Sequence, residues 1–446
     1  MFNLQGLLEQ LAPCMDAPVC WLGLSGGLDS MVLLDAVVQL RQDHPFPPLK
    51  AIHIHHGLHA DADQWAEHCA RECAARGVEL HVERVCLASA GSIEELARDA
   101  RYSVFERLMG RDDCLLLAHH RDDQLETLLF RLLRGTGLRG LAGMPRSRAL
   151  GAGKLLRPLL CWGRAELHDW ARGQQLSWID DPANADPRYA RTGLRHELLP
   201  DLQQRWPAMP ALLLRLAEHA EEANQLLDER AREDLQLAQG PLTDSWLTAW
   251  PSLDAGAVAA LTQARQKNLL RYWLHGEGMR LPDQRHLQNL INQLGAARDT
   301  QPAVQLGRAQ LYRSSGRLWL LPAGGVPAGV EQPLMHFADT ALTAGNGWLR
   351  MVPGGADIAV RSGNWRIGYR RGGEQIKLPG RPRQMLKKLF QEAGIPNWLR
   401  PAIPLLYCDD RLISVAGRWN AEGASAGVAD AGWTVTWEPG LMPVLD

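Results

Sequence analysis

At 446 residues the chain is too long for one hydrophobic core, so two or three domains are expected. Its 46% apolar and 22% charged residues are those of an ordinary globular protein, and a net charge of -2 excludes a global basic field for holding nucleic acid. There is no secretory apolar segment and no apolar run of membrane-spanning length, so a cytoplasmic protein with no membrane partner is expected. Eight scattered cysteines contain no Cys-x-x-Cys pair, which argues against zinc-ribbon and iron–sulfur centres and for reduced, mostly buried thiols.

In chain order, the apolar run beginning at Val19 shows no alternation and predicts a buried parallel strand. Gly26-Gly27 predict a tight turn, and a helix follows from Asp29 to Leu40. Further strands are expected at Leu49–His56, Val78–Val85, Cys114–Ala118 and Leu155–Leu160. Helices are expected over Asp61–Arg76, from a capping box at Ser92–Glu95 to Met109, over Arg121–Arg134 with Gly135 as left-handed C-cap, and over Arg164–Arg172. Such alternation predicts a doubly wound α/β domain with a parallel sheet, residues 1–206. Ligands in such sheets bind beyond the carboxyl ends of the strands. A long periodic helix over 207–236 makes 207–240 read as a helical connector, and 241–325 reads as a mostly helical middle domain ending in a strand at Leu318–Leu321. Ala323–Gly329 reads as a linker. Residues 346–446 read as a small α+β domain, with strands at Leu405–Tyr407, Leu412–Ala416 and Trp433–Trp437 and a helix at Arg383–Ala393.

Three stretches carry chemistry. Ser25-Gly26-Gly27-Leu28-Asp29-Ser30 joins the first strand to its helix, so glycine backbone and the positive helix end face one anion. The Gly-Lys-Ser/Thr ending of a Walker A loop is missing, which excludes that route to γ-phosphate transfer. His119 closes the fourth strand, and Asp122, Asp123 and Glu126 crowd the next helix start. Glu126 shares a face with both aspartates, an arrangement that favours a metal ion or an amine between them, although acids there also complement the helix dipole. Arg131–Gly140 is basic and glycine-punctuated, as suits an adenylate- or phosphate-contacting loop.

The Ser-Gly-Gly-x-Asp-Ser loop resembles that of the N-type ATP pyrophosphatases. With His-Ile-His-His-Gly-Leu at 53–58, Ala-His-His-x-Asp-Asp-Gln-x-Glu-Thr at 118–127 and Arg-Leu-x-Arg-Gly-Thr-Gly at 131–137, the chain resembles the tRNA(Ile)-lysidine synthase family. Asp180–Asp186, Arg191-Thr192-Gly193-Leu194-Arg195 and the C-terminal stretches 370–374, 394–400 and 404–407 extend the resemblance. Ala183 stands where the family has a hydroxyl residue and Thr192 where it has an amide; both arginines remain.

The resemblance implies an ATP- and Mg²⁺-dependent ligase that attaches L-lysine to the wobble cytidine of the CAU-anticodon isoleucine tRNA. It implies that Ser25, Gly26, Gly27, Leu28, Asp29 and Ser30 wrap the leaving pyrophosphate, with Asp29 the metal ligand. Arg134, Gly135 and Gly137 would also contact ATP. Asp123 and Glu126 would hold the lysine amino groups, and His119 would lie near the reacting base or phosphate. Arg191 and Arg195 would clamp phosphate or the lysine carboxylate, with Arg101 and Arg98 as lesser candidates. Two basic clusters stand out: Arg131, Arg134, Arg139, Arg146, Arg148, Lys154 and Arg157 near the catalytic edge, and Arg370, Arg371, Arg381, Arg383, Lys387 and Lys388, with Arg366 and Lys377, in the last domain. The second is expected to bind the tRNA body through phosphates. His53 and His55 share one face of a strand opposite His56, which predicts core and rim packing over a metal cluster. A cytidine thiolase of the same superfamily would want the missing Cys-x-x-Cys pairs; a non-catalytic adenine-nucleotide-binding protein would not need the acidic helix start. A homodimer is compatible with the sequence.

Overall fold

The computed structural model describes residues 1–57, 59–85, 93–180, 190–242, 245–279, 284–294, 303–426 and 432–440. The chain divides into two compact units, Met1–Gln225 and Leu226–Asp446.

The first unit holds α1 (Leu4–Leu11), β1 (Cys20–Gly23), α2 (Leu28–Asp43), β2 (Leu49–His55), α3 (Ala62–Ala75), β3 (Glu79–Arg84), α4 (Ile93–Leu108), β4 (Cys114–Leu116), α5 (Arg121–Leu133), α6 (Leu138–Leu141), β5 (Ser147–Leu150), β6 (Gly153–Leu156), α7 (Arg164–Gly173), α8 (Ala190–Gly193) and α9 (Leu199–Arg205). Its sheet has the order β3-β2-β1-β4-β6-β5, parallel throughout except for β5, which pairs antiparallel with β6. The chain winds outward from β1 to β3, then crosses to β4, so the winding reverses between β1 and β4. A crevice opens at such a switch point. β4 is buried on both faces, Cys114 and Leu116 in one apolar cluster and Leu115 in another, while β1 buries Cys20 and Leu22 and leaves Trp21 partly buried. Met31, Val32, Leu33, Leu34, Ala36 and Val37 of α2 are fully buried, and this one helix anchors much of the core beneath the loop that precedes it.

The last strand of this sheet is Gly153–Leu156, not Leu155–Leu160: Arg157 turns to the Pro145 carbonyl, and Leu159 enters the core from a turn beyond the strand. The preceding β5 is a hairpin partner that sequence reading missed, because three of its four residues are exposed and carry no apolar alternation. The capping box at Ser92–Glu95 lies outside the described side chains.

The boundary between the units falls within a 31-residue helix, α10 (Met209–Gln239). The second unit continues with β7 (Ser252–Asp254), α11 (Ala255–Ala259), α12 (Gln263–Gly276), α13 (Gln284–Leu294), β8 (Ala303–Leu306), β9 (Ala309–Ser314) and β10 (Arg317–Pro322). The stretch expected to be mostly helical thus also carries a four-stranded antiparallel sheet, β7-β10-β9-β8, covered by helices through Leu269, Leu270, Trp273 and Leu274. The rest is β-rich: β11 (Gln332–Pro333), β12 (Thr340–Ala341), β13 (Trp348–Ala359), β14 (Trp365–Gly368), β15 (Gln375–Ile376), β16 (Gln384–Met385), α14 (Leu386–Glu392), β17 (Leu405–Cys408), β18 (Arg411–Val415), β19 (Trp419–Asn420) and β20 (Gly432–Glu438). Trp246, Trp319, Trp365 and Trp437 are buried in its core. α14 begins three residues later than expected because Arg383 precedes the short β15–β16 ladder's last pairs. Among the described residues no helix is long and apolar enough to cross a membrane.

Candidate active site

The Gly23–Asp29 turn is built by close approach. A Cβ on Gly23 would fall 2.6 Å from the Leu117 side chain, and one on Gly26 would fall 2.6 Å from Ile179 Cδ1. Gly26 also has φ +85°, a region that favours glycine. Ile179 N–H donates to the Gly26 carbonyl at 2.9 Å and fixes the loop from above. Ser30 Oγ donates to the Gly27 carbonyl at 2.9 Å and lies 3.1 Å from Ser25 Oγ. Gly27 is the N-cap of α2 and supplies no side chain, so the first-turn N–H groups stay available to an anion.

Asp29 sits in that first turn. Its Oδ1 is buried without a hydrogen-bond partner, while Oδ2 lies 3.6 Å from His120 Nε2. Burial raises the Asp29 carboxyl above its usual range, and the neighbouring His120 opposes this.

Across the crevice, His120 caps α5. Its Nδ1 accepts from the Asp122 and Asp123 N–H groups at 3.2 and 3.4 Å, and its backbone N–H donates to Asp123 Oδ2 at 3.0 Å. The cap turns Asp123 and Glu126 toward one cation. Arg195 Nε donates to Glu126 Oε1 at 2.5 Å, and the same guanidinium reaches Glu126 Oε2 at 3.0 Å and Asp123 Oδ1 at 3.3 Å. Arg195 stands in a π-helical turn, Leu194–Leu198, a rare conformation concentrated at functional sites. Burial raises Glu126, against the hydrogen bonds from Arg195; burial would lower Arg195, but Glu126 and Asp123 more than reverse it. Asp122 turns elsewhere, its Oδ2 accepting from Arg164 N–H at 2.9 Å.

His119 lies within the electrostatic reach of Arg98 and Arg101 of α4. Burial, outweighing the attraction of Asp123, holds its ring down to about 3, with Arg157, Arg101 and Arg98 adding to the effect. It is therefore a neutral imidazole at physiological pH, with Nδ1 buried and unpartnered.

The structure thus gathers Ser25–Ser30, Asp29, Asp123, Glu126 and Arg195 at one edge, with His119 and Arg101 beside it. Arg134 is the C-cap of α5, its guanidinium 3.9 Å over the Phe130 ring, Gly135 follows with φ +73°, and Gly137 is the N-cap of α6. The Arg191 side chain and residues 181–187 lie outside the described residues. Three of the first basic cluster serve the fold itself: buried Arg157 donates to the Pro145 carbonyl, Arg131 to those of Gly140 and Gly143, and Lys154 to that of Pro13. His53 Nδ1 lies 2.9 Å from the Leu24 carbonyl and His55 Nε2 3.2 Å from Asp63, consistent with packing roles. His120 is the residue sequence reasoning missed; its signal was a polar residue at the N-cap with an acid three positions on.

A glycine loop at the switch point, with a carboxylate in the first turn behind it, is the arrangement of a nucleotide-binding α/β domain. Residues 3–202 match the family described as PP-loop domain, 253–319 the TilS substrate binding domain and 365–437 the TilS substrate C-terminal domain. The tRNA(Ile)-lysidine synthase of Pseudomonas putida is 48% identical, covering 91% of this chain and 94% of that protein. That of Pseudomonas aeruginosa is 44% identical over 97% and 96%, and that of Coxiella burnetii 38% over 93% and 92%. The chain belongs to the tRNA(Ile)-lysidine synthase family.

Proposed function

We propose that this chain, an ATP-dependent tRNA(Ile)-lysidine synthase, joins L-lysine to C2 of the wobble cytidine in the CAU-anticodon isoleucine tRNA. The observation that carries the reading is the pairing of Asp123 and Glu126 with a guanidinium, within one residue cluster of Asp29 and the phosphate loop. Two carboxylates that already accommodate an organic cation suit the amino groups of lysine.

Cytosine O2 attacks the α-phosphorus of ATP, and the bond to pyrophosphate breaks. The ε-nitrogen of lysine then attacks C2, and the C–O bond to AMP breaks. The attacking amine must be neutral, against an ordinary pKa of about 10.4. Glu126, raised by burial, is placed to accept its proton. Neutral His119 offers a hydrogen bond to base or phosphate, not a counter-charge. Arg195, once a substrate amine takes its place, is free to meet the lysine carboxylate or a phosphate. Asp29 suits Mg²⁺, since Oδ1 is a hard oxygen donor, buried and unpartnered. Bound there, the ion would neutralise charge on the departing pyrophosphate.

The anticodon loop is single-stranded, so the cytosine enters without breaking a duplex. Residues 1–206 would supply the catalysis, 207–240 a connector, and the remainder the tRNA contacts. Within the C-terminal basic cluster, Arg371 pairs with Glu331 at 2.7 Å, while Arg370 and Lys388 lie 3.9 Å from Glu374 and Glu392. Exposed Arg381, Arg383 and Lys387 make no ion pair among the described residues and are the phosphate contacts we favour.

Glu126→Ala tests the amine site. The expected outcome is a KM for lysine raised at least tenfold with the KM for ATP changed much less, read by steady-state kinetics. Unchanged lysine KM and kcat would remove Glu126 from the site.

A further inference from the structure

His120 has two ring nitrogens, and the helix it starts explains only one. Nδ1 accepts two backbone N–H groups of α5. Helix starts usually employ Ser, Thr, Asp or Asn for this task. An asparagine would satisfy the same donors. The ring's far nitrogen, Nε2, lies 3.6 Å from Asp29 Oδ2 and 3.5 Å from Asp123 Oδ2. Because Nδ1 is accepting, the ring proton of the neutral form sits on Nε2. One N–H therefore stands between carboxylates of two different helices, α2 and α5.

The ring is only 2% exposed, so water does not take its place. Among the described residues, no other basic side chain lies within ion-pairing distance of Asp29. The separations are longer than a full hydrogen bond, so the interaction is the electrostatic attraction of one ring N–H for two carboxylates.

We infer that His120 is a positioning residue. Its Nε2–H draws Asp29 Oδ2 toward Asp123 Oδ2, which the His120 backbone N–H already holds at 3.0 Å, and leaves Asp29 Oδ1 unengaged for the phosphates and their cation. The phosphate end and the amine end of the site are thereby oriented by one ring. This rests on the reading that Asp29 serves the phosphate end. Outer partners that orient a ligating carboxylate change affinity or activity about 10–100-fold when removed.

The test uses the full chain and four variants: His120→Asn, His120→Gln, Asp29→Asn and the double variant His120→Asn with Asp29→Asn. Affinity for ATP with Mg²⁺ is measured by calorimetry, beside melting temperature and the KM and kcat for each substrate. His120→Asn keeps an acceptor for the cap and loses the Nε2–H. It is expected to melt as wild type does and to bind ATP with Mg²⁺ about 10–100-fold more weakly. The double variant should be no worse than Asp29→Asn alone, because His120 acts through that carboxylate. His120→Gln, which carries an N–H toward the Nε2 position but gives a poorer cap, should recover most of the affinity while melting lower.

Wild-type affinity in His120→Asn, or additive losses in the double variant, would overturn the inference. If His120→Asn fails to fold, His120→Gln decides against His120→Ala: better ATP binding supports the inference, equal binding overturns it. Unchanged affinity in Asp29→Asn would instead overturn the reading of Asp29, and the inference with it.

Discussion

Two adjacent histidines close β4, and their surroundings separate them. His120 turns inward and caps; His119 is held neutral down to about pH 3 chiefly by burial, with Arg157, Arg101 and Arg98 adding to the effect. This has a consequence for stability. Unfolded, His119 takes up its proton near 6.5; folded, it resists until about 3. Its contribution to stability is therefore full above pH 6.5 and is lost as pH falls toward 3. His56, held down to about 4 chiefly by burial, acts in the same direction. Each such group costs at most about 1.4 kcal/mol per pH unit inside its window. Denaturant unfolding at pH 7 and pH 4.5 should show that His119→Gln loses less stability on acidification than wild type. Equal losses would show that His119 is not held neutral by the fold.

At the level of elements, the phosphate loop separates two roles that its two adjacent glycines share on paper. Gly26 needs its positive φ and would drive a Cβ into Ile179; Gly27 has φ −75° and ψ 164°, and a Cβ there would meet nothing nearer than 3.5 Å. Gly26→Ala should therefore lower both melting temperature and ATP binding. Gly27→Ala should melt as wild type does yet bind ATP more weakly, since the added methyl obstructs only the approaching phosphate. Wild-type ATP affinity in Gly27→Ala would move the phosphates away from this loop.

The strand, turn and helix from Val19 to Leu40 were legible because an unalternating apolar run followed by Gly-Gly has few other uses. The acidic start of α5 was legible for the same reason: three carboxylates in five residues ask for a counter-charge. That counter-charge was less legible. Arg195 lies 69 residues from Glu126, and its resting place on the two acids comes from tertiary folding alone. The hairpin β5–β6 and the two-residue strands of the second unit carry too little periodicity to be read from composition.

On the scale of the whole molecule, a nearly neutral chain that acts on a polyanion must concentrate its cations. Much of its arginine is engaged by its own carbonyls and acids, as in Arg157, Arg131 and Arg371. Arg381, Arg383 and Lys387 are exposed and make no ion pair among the described residues. Replacing all three by glutamine should weaken tRNA binding and reduce the slope of log affinity against log salt by about three, without altering the KM for lysine. An unchanged slope would assign the tRNA body to another surface.

The central claim is that one strand edge activates a cytidine with ATP and delivers an amine to it. The most direct measurement is incorporation of radiolabelled lysine into unmodified CAU-anticodon isoleucine tRNA, with ATP and Mg²⁺, against the methionine tRNA of the same anticodon. Label is expected in the isoleucine tRNA alone, with one AMP and one pyrophosphate released per lysine attached. ATP cleavage to pyrophosphate without lysine attachment would contradict it, since the phosphate loop would then be working without the amine site assigned to Asp123 and Glu126.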